Sequence, residues 1–488
     1  MLYIFRDFVF LSINLNRQAT MATKEELLKV LEPNGQEQIL TYWDELDENQ
    51  REQLAQQILE IDWPTVTKWA ANALKGESAP IPFDKLTPAP YHALVPETEE
   101  EKAFQAKAYQ HGVELLKNGK VAAFTVAGGQ GTRLGYDGPK GTYEVSPAMH
   151  KSLFQIFAEA LLRNQAKYGC KFTWYIMTSK INDAATRAFF EKNHYFGLEK
   201  EQVKMFKQAM LPAFGLDGKA LLAAKDSLAL SPNGHGGSFV ALRDSGALED
   251  MKKKGVTILS YWQVDNPLIK VMDPLFIGLH DMTKSDMSSR ALIKRDYAEK
   301  LGHFCILDGK MIIVEYSDMP VELAKQEDKP GRLAYRAGSP AMHVMSVDFI
   351  DRITSGTLEF NPHRANKKVP YINDNGELVV PESPNAIKLE FFLFDALPLA
   401  KNPLVLEACR DEQFAPVKNK EGEDSPATCR TAYLARGRKW LRAAGVVLPE
   451  GMEVELSTKS FVDEDDVKEF VKGGHLPPLK PNCINYVE

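Results

Sequence analysis

One stretch, VAAFTVAGGQGTRLGYDGPKGT from Val121 to Thr142, limits the folds open to this chain more than any other. Its apolar opening, Val121 to Val126, is long enough for one buried parallel strand. Glycines at 128, 129, 131, 135, 138 and 141 follow, accompanied by two cations, Arg133 and Lys140. Glycine has no Cβ, so backbone N–H groups can approach a ligand closely and φ can turn positive. Amides and fixed cations placed after a strand suit a polyphosphate.

Spacing narrows the kind of phosphate loop. A Walker A loop needs G-x-x-x-x-G-K-[ST], and no Lys-Ser or Lys-Thr pair stands at that spacing. A dinucleotide fingerprint needs G-x-G-x-x-G, whereas Gly129-x-Gly131 is followed by glycine only at 135, one residue late. A glycine-rich turn with incidental cations is the bland alternative.

Downstream, helical and strand patterns alternate. A helix is expected from Ser152 to Lys167, a strand over Phe172 to Met177 and a helix capped by Asn182. A strand over Gln202 to Phe206, one helix from Ser238 to Lys253 and an apolar strand from Val256 to Val264 follow. This rhythm predicts an α/β fold with a mixed, mainly parallel, doubly wound sheet. Ligands bind such sheets outside the carboxyl ends of the strands. Past residue 288 antiparallel strands are expected, with an Asp-Gly turn at 308–309, then a charged polar insert from His363 to Glu377.

Before the glycine loop, residues 21–105 read as helices followed by a proline-rich surface linker from Gly76 to Pro96. Thr98 and Glu101 then have the spacing of a capping box. Residues 1–20 are expected to be a disordered or artefactual extension, with translation starting at Met21. Net charge is −7, which argues against a broad nucleic-acid footprint. Five scattered cysteines, none in C-x-x-C spacing, suit a reducing compartment, and the expected location is cytoplasmic. No run approaches the roughly 18 uninterrupted apolar residues of a membrane span.

Other residues carry chemistry by their placement. Asp265, in VDNPL, ends the most apolar strand, where a carboxylate points towards ligand and suits Mg²⁺; a turn role before Pro267 is the alternative. Glu315 closes a strand. Lys388 sits inside an apolar run, where an ammonium is costly unless paired with a phosphate or carboxylate. SPNGHGG, 231–237, is a second glycine-rich turn before a helix. The acidic cluster Asp463–Asp466 reads as a helix start.

AGGQGTRLG followed by PKG resembles the signature of sugar nucleotidyltransferases, and this version looks like the eukaryotic-type UTP:sugar-1-phosphate uridylyltransferases. Within that group it is most similar to the branch acting on N-acetylglucosamine 1-phosphate, and the motifs recur in order from about Lys120 to Asn419. The resemblance implies a helical N-terminal piece, a Rossmann-like catalytic domain over 106–400 and a small C-terminal domain over 401–488. It implies UTP and a sugar 1-phosphate as partners, Mg²⁺ as cofactor and Asp265 as its ligand. Gly128 and Gly129 would hold the uracil edge and sugar side, with Gln208 of KQAMLPA as amide partner to the base. Arg133, Lys140 and Lys418 (FAPVKN) would neutralise the triphosphate. Gly234 and His235 would contact nucleotide, and Glu315, Ser339 and Lys388 would face the sugar. His235 and Ser339 each replace an asparagine of the N-acetylglucosamine pattern, and Ser288 stands in a segment that the family associates with room for the N-acetyl group. Glucose or galactose 1-phosphate is therefore the alternative acceptor, and a silent nucleotide-sugar-binding protein is the reading from another class. Oligomeric state is not legible.

Overall fold

The computed structural model describes residues 22–75, 81–356 and 362–488; the expectation for residues 1–20 lies outside them. Two units emerge. One comprises the described residues within Met1–Ile81 and Phe360–Phe392, with Ala209–Gly237. The other comprises Pro82–Gln208, the described residues within Ser238–Glu359, and Leu393–Glu488.

The larger unit is built on one sheet. Its strands in chain order are β1 (Val121–Val126), β2 (Trp174–Thr178), β3 (Val203–Lys207), β4 (Ile258–Gln263), β5 (Met287–Ile293), β6 (Gly302–Leu307), β7 (Lys310–Val314), β8 (Ala337–Ser339), β9 (His343–Ser346) and β10 (Leu404–Glu407). Across the sheet the order is Thr87–Pro88, β6, β8, β5, β9, β4, β1, β2, β3, with β7 paired to β6 and β10 to β5. The β4–β1–β2–β3 portion is parallel throughout. Beyond it β9 runs antiparallel to both β4 and β5. The sheet is mixed with a parallel region, as the alternation of patterns requires.

Helices cover the parallel strands because their sequences supply caps and apolar faces. Thr98 and Glu101 form the reciprocal capping box of Glu99–Lys117, each side chain bonding the other's backbone N–H at 3.1 Å. Ser152 caps Leu153–Tyr168, which ends at Gly169 with φ +66°. Phe154, Phe157, Trp174, Phe190 and Trp262 form the aromatic heart of the core under this region. A separate cluster of Trp440, Leu441, Val454, Leu456, Phe461 and Val487 organises the C-terminal segment. Lys151 ties it to the helix Leu153–Tyr168, reaching Glu159 at 2.7 Å and the Tyr486 hydroxyl at 2.8 Å. Asp463 caps the last helix, Glu464–Lys472.

Some local expectations fail for identifiable reasons. The proline-rich stretch does not simply cross the surface: Thr87–Pro88 pairs with β6, and His92 bridges to Leu406 of β10. The helix expected over 238–253 breaks into Ser238–Asp244 and Ala247–Lys253 at Gly246, whose φ is +77°. The Asp308-Gly309 turn between β6 and β7 is present, with φ +49° and +75°.

In the smaller unit the helices Lys24–Leu31, Glu48–Leu59 and Trp63–Lys75 accompany an antiparallel sheet ordered His363–Lys367, Ala386–Glu390, Phe214–Gly215. The supposed polar insert thus begins with a paired strand, and its exposed side chains had disguised it. Trp69 packs edge-on against Phe391 at 5.0 Å. Among the described residues no helix is long and apolar enough to cross a membrane.

Candidate active site

In the larger unit the glycine loop leaves the carboxyl end of β1 and is closed by its own backbone. Gly131 N–H donates to Gly138 O at 2.9 Å, and Lys140 N–H donates to Gly129 O at 3.1 Å. The Tyr136 hydroxyl lies 2.7 Å from Thr142 Oγ1 and braces the turn. These bonds set Arg133 on the exposed short helix Thr132–Leu134 and leave Lys140 half-buried at the start of another, Lys140–Thr142.

Neighbouring strands support the loop from beneath. Ser179, just past β2, donates its hydroxyl to Gly128 O at 2.8 Å. Asn182 donates its side-chain amide to Ala127 O at 2.9 Å and to Gly129 O at 3.2 Å. Asn182 makes no cap bond to the helix it precedes; its Oδ1 accepts from the Ser179 N–H at 2.9 Å instead. Gln208 follows β3, is 7% exposed, and donates its backbone N–H to Thr178 O. A Cβ on Gly128 would stand 3.2 Å from the Gln208 amide nitrogen, so the two predicted base-reading positions adjoin. A Cβ on Gly129 would meet nothing within 4 Å, so the loop is open on that side.

Asp265 is 9% exposed, two residues past β4. Its carbonyl accepts the Val417 N–H at 2.8 Å. Asn266 donates its amide to Gln413 O at 2.7 Å and accepts from Ala415 N–H at 3.0 Å. FAPVKN is therefore stitched to the end of β4, and Lys418 emerges beside Asp265. Lys418 Nζ lies 3.7 Å from Asp424 Oδ2. Burial pushes the Asp424 carboxyl above its ordinary value, Lys418 opposes that, and the like charge of Asp265 adds to it. The Lys420 side chain approaches Gly135 of the glycine loop. Arg133, Lys140, Gln208, Asp265 and Lys418 thus all stand on segments at the carboxyl edge of β1, β3 and β4.

With that geometry fixed, the profile of the family described as UTP–glucose-1-phosphate uridylyltransferase matches residues 68–441. The chain belongs to this family. A UDP-N-acetylhexosamine pyrophosphorylase-like protein 1 of Xenopus tropicalis is 38% identical over 446 residues, 88% of this chain and 87% of its own. The UDP-N-acetylglucosamine pyrophosphorylase of Saccharomyces cerevisiae is 37% identical over 460 residues, 89% of this chain and 95% of its own. The crystal structure of the uridine diphosphate N-acetylglucosamine pyrophosphorylase from Trypanosoma brucei in complex with inhibitor superposes with a TM-score of 0.82 at 25% identity. It covers 96% of this chain and 98% of that one.

The remaining positions of this uridylyltransferase divide between the units. Ser339 pairs with Gly302, and a Cβ on Gly302 would lie 3.3 Å from Glu315 Oε1, so Ser339 and Glu315 share one corner of the larger unit. Ser288 is fully buried, with its hydroxyl 2.9 Å from His280 Nδ1. It points into the core and offers nothing to a sugar. In the smaller unit Gly234 takes φ +83°, and its Cβ position is filled by Phe391 O. His235 stacks on Phe392 at 5.5 Å. Burial, with His363 as the lesser cause, pushes its imidazole down to about 4. Lys388 lies opposite Ala365, half-buried between the buried Ile387 and Leu389. Strand alternation puts its ammonium on the less buried face, so burial alone does not demand an anion there.

Ser179, Asn182 and Asp424 are the residues that sequence reasoning missed. Each acts on its partner through a backbone turn or across strands, and an isolated Ser, Asn or Asp beside a helix start carries no signal beyond capping.

Proposed function

We propose that the protein transfers UMP from UTP to N-acetylglucosamine 1-phosphate, releasing pyrophosphate. The observation that carries this reading is the stitching of the Lys418 segment to Asp265 and Asn266 at the same strand edge as the glycine loop. It gathers cations and a carboxylate where a nucleoside triphosphate would bind. A phosphate oxygen of the sugar phosphate attacks the α-phosphorus of UTP in line. The bond from that phosphorus to the β-bridging oxygen breaks, and pyrophosphate leaves with the electron pair. The attacking oxygen is already anionic, so no general base is needed; positioning and charge stabilisation do the catalysis.

Arg133 and Lys140 neutralise the triphosphate from the glycine loop and Lys418 from the opposite segment. Gln208, beside Gly128, can satisfy the donor and acceptor of the uracil imide edge. Gly129 lets the nucleotide lie against the backbone. Glu315 and Ser339 take the sugar; for Gly234 and His235 a nucleotide contact, and for Lys388 a sugar contact, is what the family resemblance alone implies.

Asp265 fits Mg²⁺. Among the described residues no group of three or more His, Cys, Asp or Glu side chains converges as a metal site. A cation at Asp265 would be completed by substrate phosphates, which is how Mg²⁺ is commonly held. Bound there, it would offset phosphate charge. All five cysteines are free thiols, which suits a reducing cytoplasm.

The test is pyrophosphorolysis. Protein, Mg²⁺ and pyrophosphate are mixed with UDP-N-acetylglucosamine, UDP-N-acetylgalactosamine, UDP-glucose and UDP-galactose in turn, and UTP is measured. Fastest release from UDP-N-acetylglucosamine is expected. Faster release from UDP-glucose or UDP-galactose would reassign the acceptor, and no UTP from any sugar would overturn the reading.

A further inference from the structure

We propose that Asp424 is a positioning residue for Lys418, its carboxylate holding the ammonium beside Asp265 until a phosphate takes it over. The inference rests on the uridylyltransferase reading. It begins from the way the turn 418–424 is fixed at both ends. On one side Val417 N–H is bound to Asp265 O at 2.8 Å. On the other, Ser425 caps the helix Pro426–Ala443, whose inner face, including Cys429 and Tyr433, is buried in the sheet core. Across the turn the N–H groups of Lys418 and Asn419 both donate to the backbone carbonyl of Asp424, at 2.6 and 3.0 Å. Asn419 Nδ2 adds a bond to Glu423 O at 2.9 Å.

The turn is therefore closed by the main chain of Asp424, and its carboxylate is left over. That carboxylate lies 3.7 Å from Lys418 Nζ, both side chains being more than one-third exposed. A pair so long and so exposed is too weak to serve as a structural bridge. It is enough to bias a flexible lysine among its rotamers. The Lys418 ammonium also lies 5.9 Å from the Phe414 ring centroid. Because the pair is weak, an arriving phosphate displaces the carboxylate easily. Because the turn that carries both residues is fixed at its two ends, Lys418 starts from the right place.

The test is a double-mutant cycle of Asp424→Asn, Lys418→Ala and both together, read in pyrophosphorolysis and in UTP binding by calorimetry. Asn keeps the side-chain volume and the backbone carbonyl, so the melting temperature of D424N should match that of the parent. Turnover of D424N is expected to fall about threefold, the scale of a weak positioning bias, and K418A/D424N should be no worse than K418A. An unchanged D424N, or the same loss in the K418A background, would overturn the proposal. A parent protein that binds UTP but turns over no sugar nucleotide would defeat the activity reading and leave the cycle readable in UTP affinity. Absence of UTP binding would overturn both.

Discussion

The side-chain amide of Asn182 donates to the carbonyl of Gly129 at 3.2 Å, fastening a glycine loop to the start of a helix 53 residues away. Its second donor goes to Ala127 O. Asn182→Ala should leave the buried Ala127 carbonyl without that donor, while Gly129 O keeps the Lys140 N–H, and cost about 1–3 kcal/mol. Urea unfolding measures the stability, and a raised KM for UTP would show that the loop itself has loosened. A variant with parental stability and kinetics would show that water replaces the amide.

Two glycines of the same loop should behave oppositely. A Cβ on Gly141 would lie 2.1 Å from the Phe154 ring, so Gly141→Ala should destabilise the fold by about 1–3 kcal/mol. A Cβ on Gly129 would meet nothing within 4 Å. Gly129→Ala should melt like the parent and yet lose UTP affinity. Equal melting temperatures for the two variants would refute the distinction.

Lys140→Ala should lower turnover on the order of 10²-fold, the usual effect of removing one transition-state donor. Its backbone N–H still donates to Gly129 O in the variant, so the loop should keep its shape. Activity within a few-fold of the parent would make Lys140 a bystander.

His280 is buried between the hydroxyls of Ser288 and Ser346, and burial pushes its imidazole from 6.5 down to about 4. Between those values the unfolded chain holds the proton and the folded chain does not. Its contribution is therefore intact above about pH 6.5 and is lost as pH falls towards 4, by up to about 1.4 kcal/mol per pH unit. Urea midpoints across that window should fall less steeply in His280→Gln than in the parent.

Much of the larger unit was legible because strands buried on both faces read as apolar runs. Val121–Val126 is a strand with the expected bounds, and the Thr98–Glu101 and Asp463 caps are local signals that the structure repeats. Legibility ended where a residue's work is done at a distance. Asn182 looks like a cap in sequence and serves a loop. Ser288 sits in a motif associated with the sugar, yet alternation along β5 turns it inward to His280. His363–Lys367 shows polar and exposed side chains, and only its pairing with Ala386–Glu390 makes it a strand.

The bond from Asn266 to Gln413 spans 147 residues. Contacts of such separation are slow to form, because the chain between them must be ordered first. During synthesis the glycine loop leaves the ribosome long before its opposing lysine. A partly made chain would then own a triphosphate cradle without the Lys418 segment. Catalytic competence would arrive as a late event of folding, so an activity assay would double as a report that the two ends of the sheet edge have met.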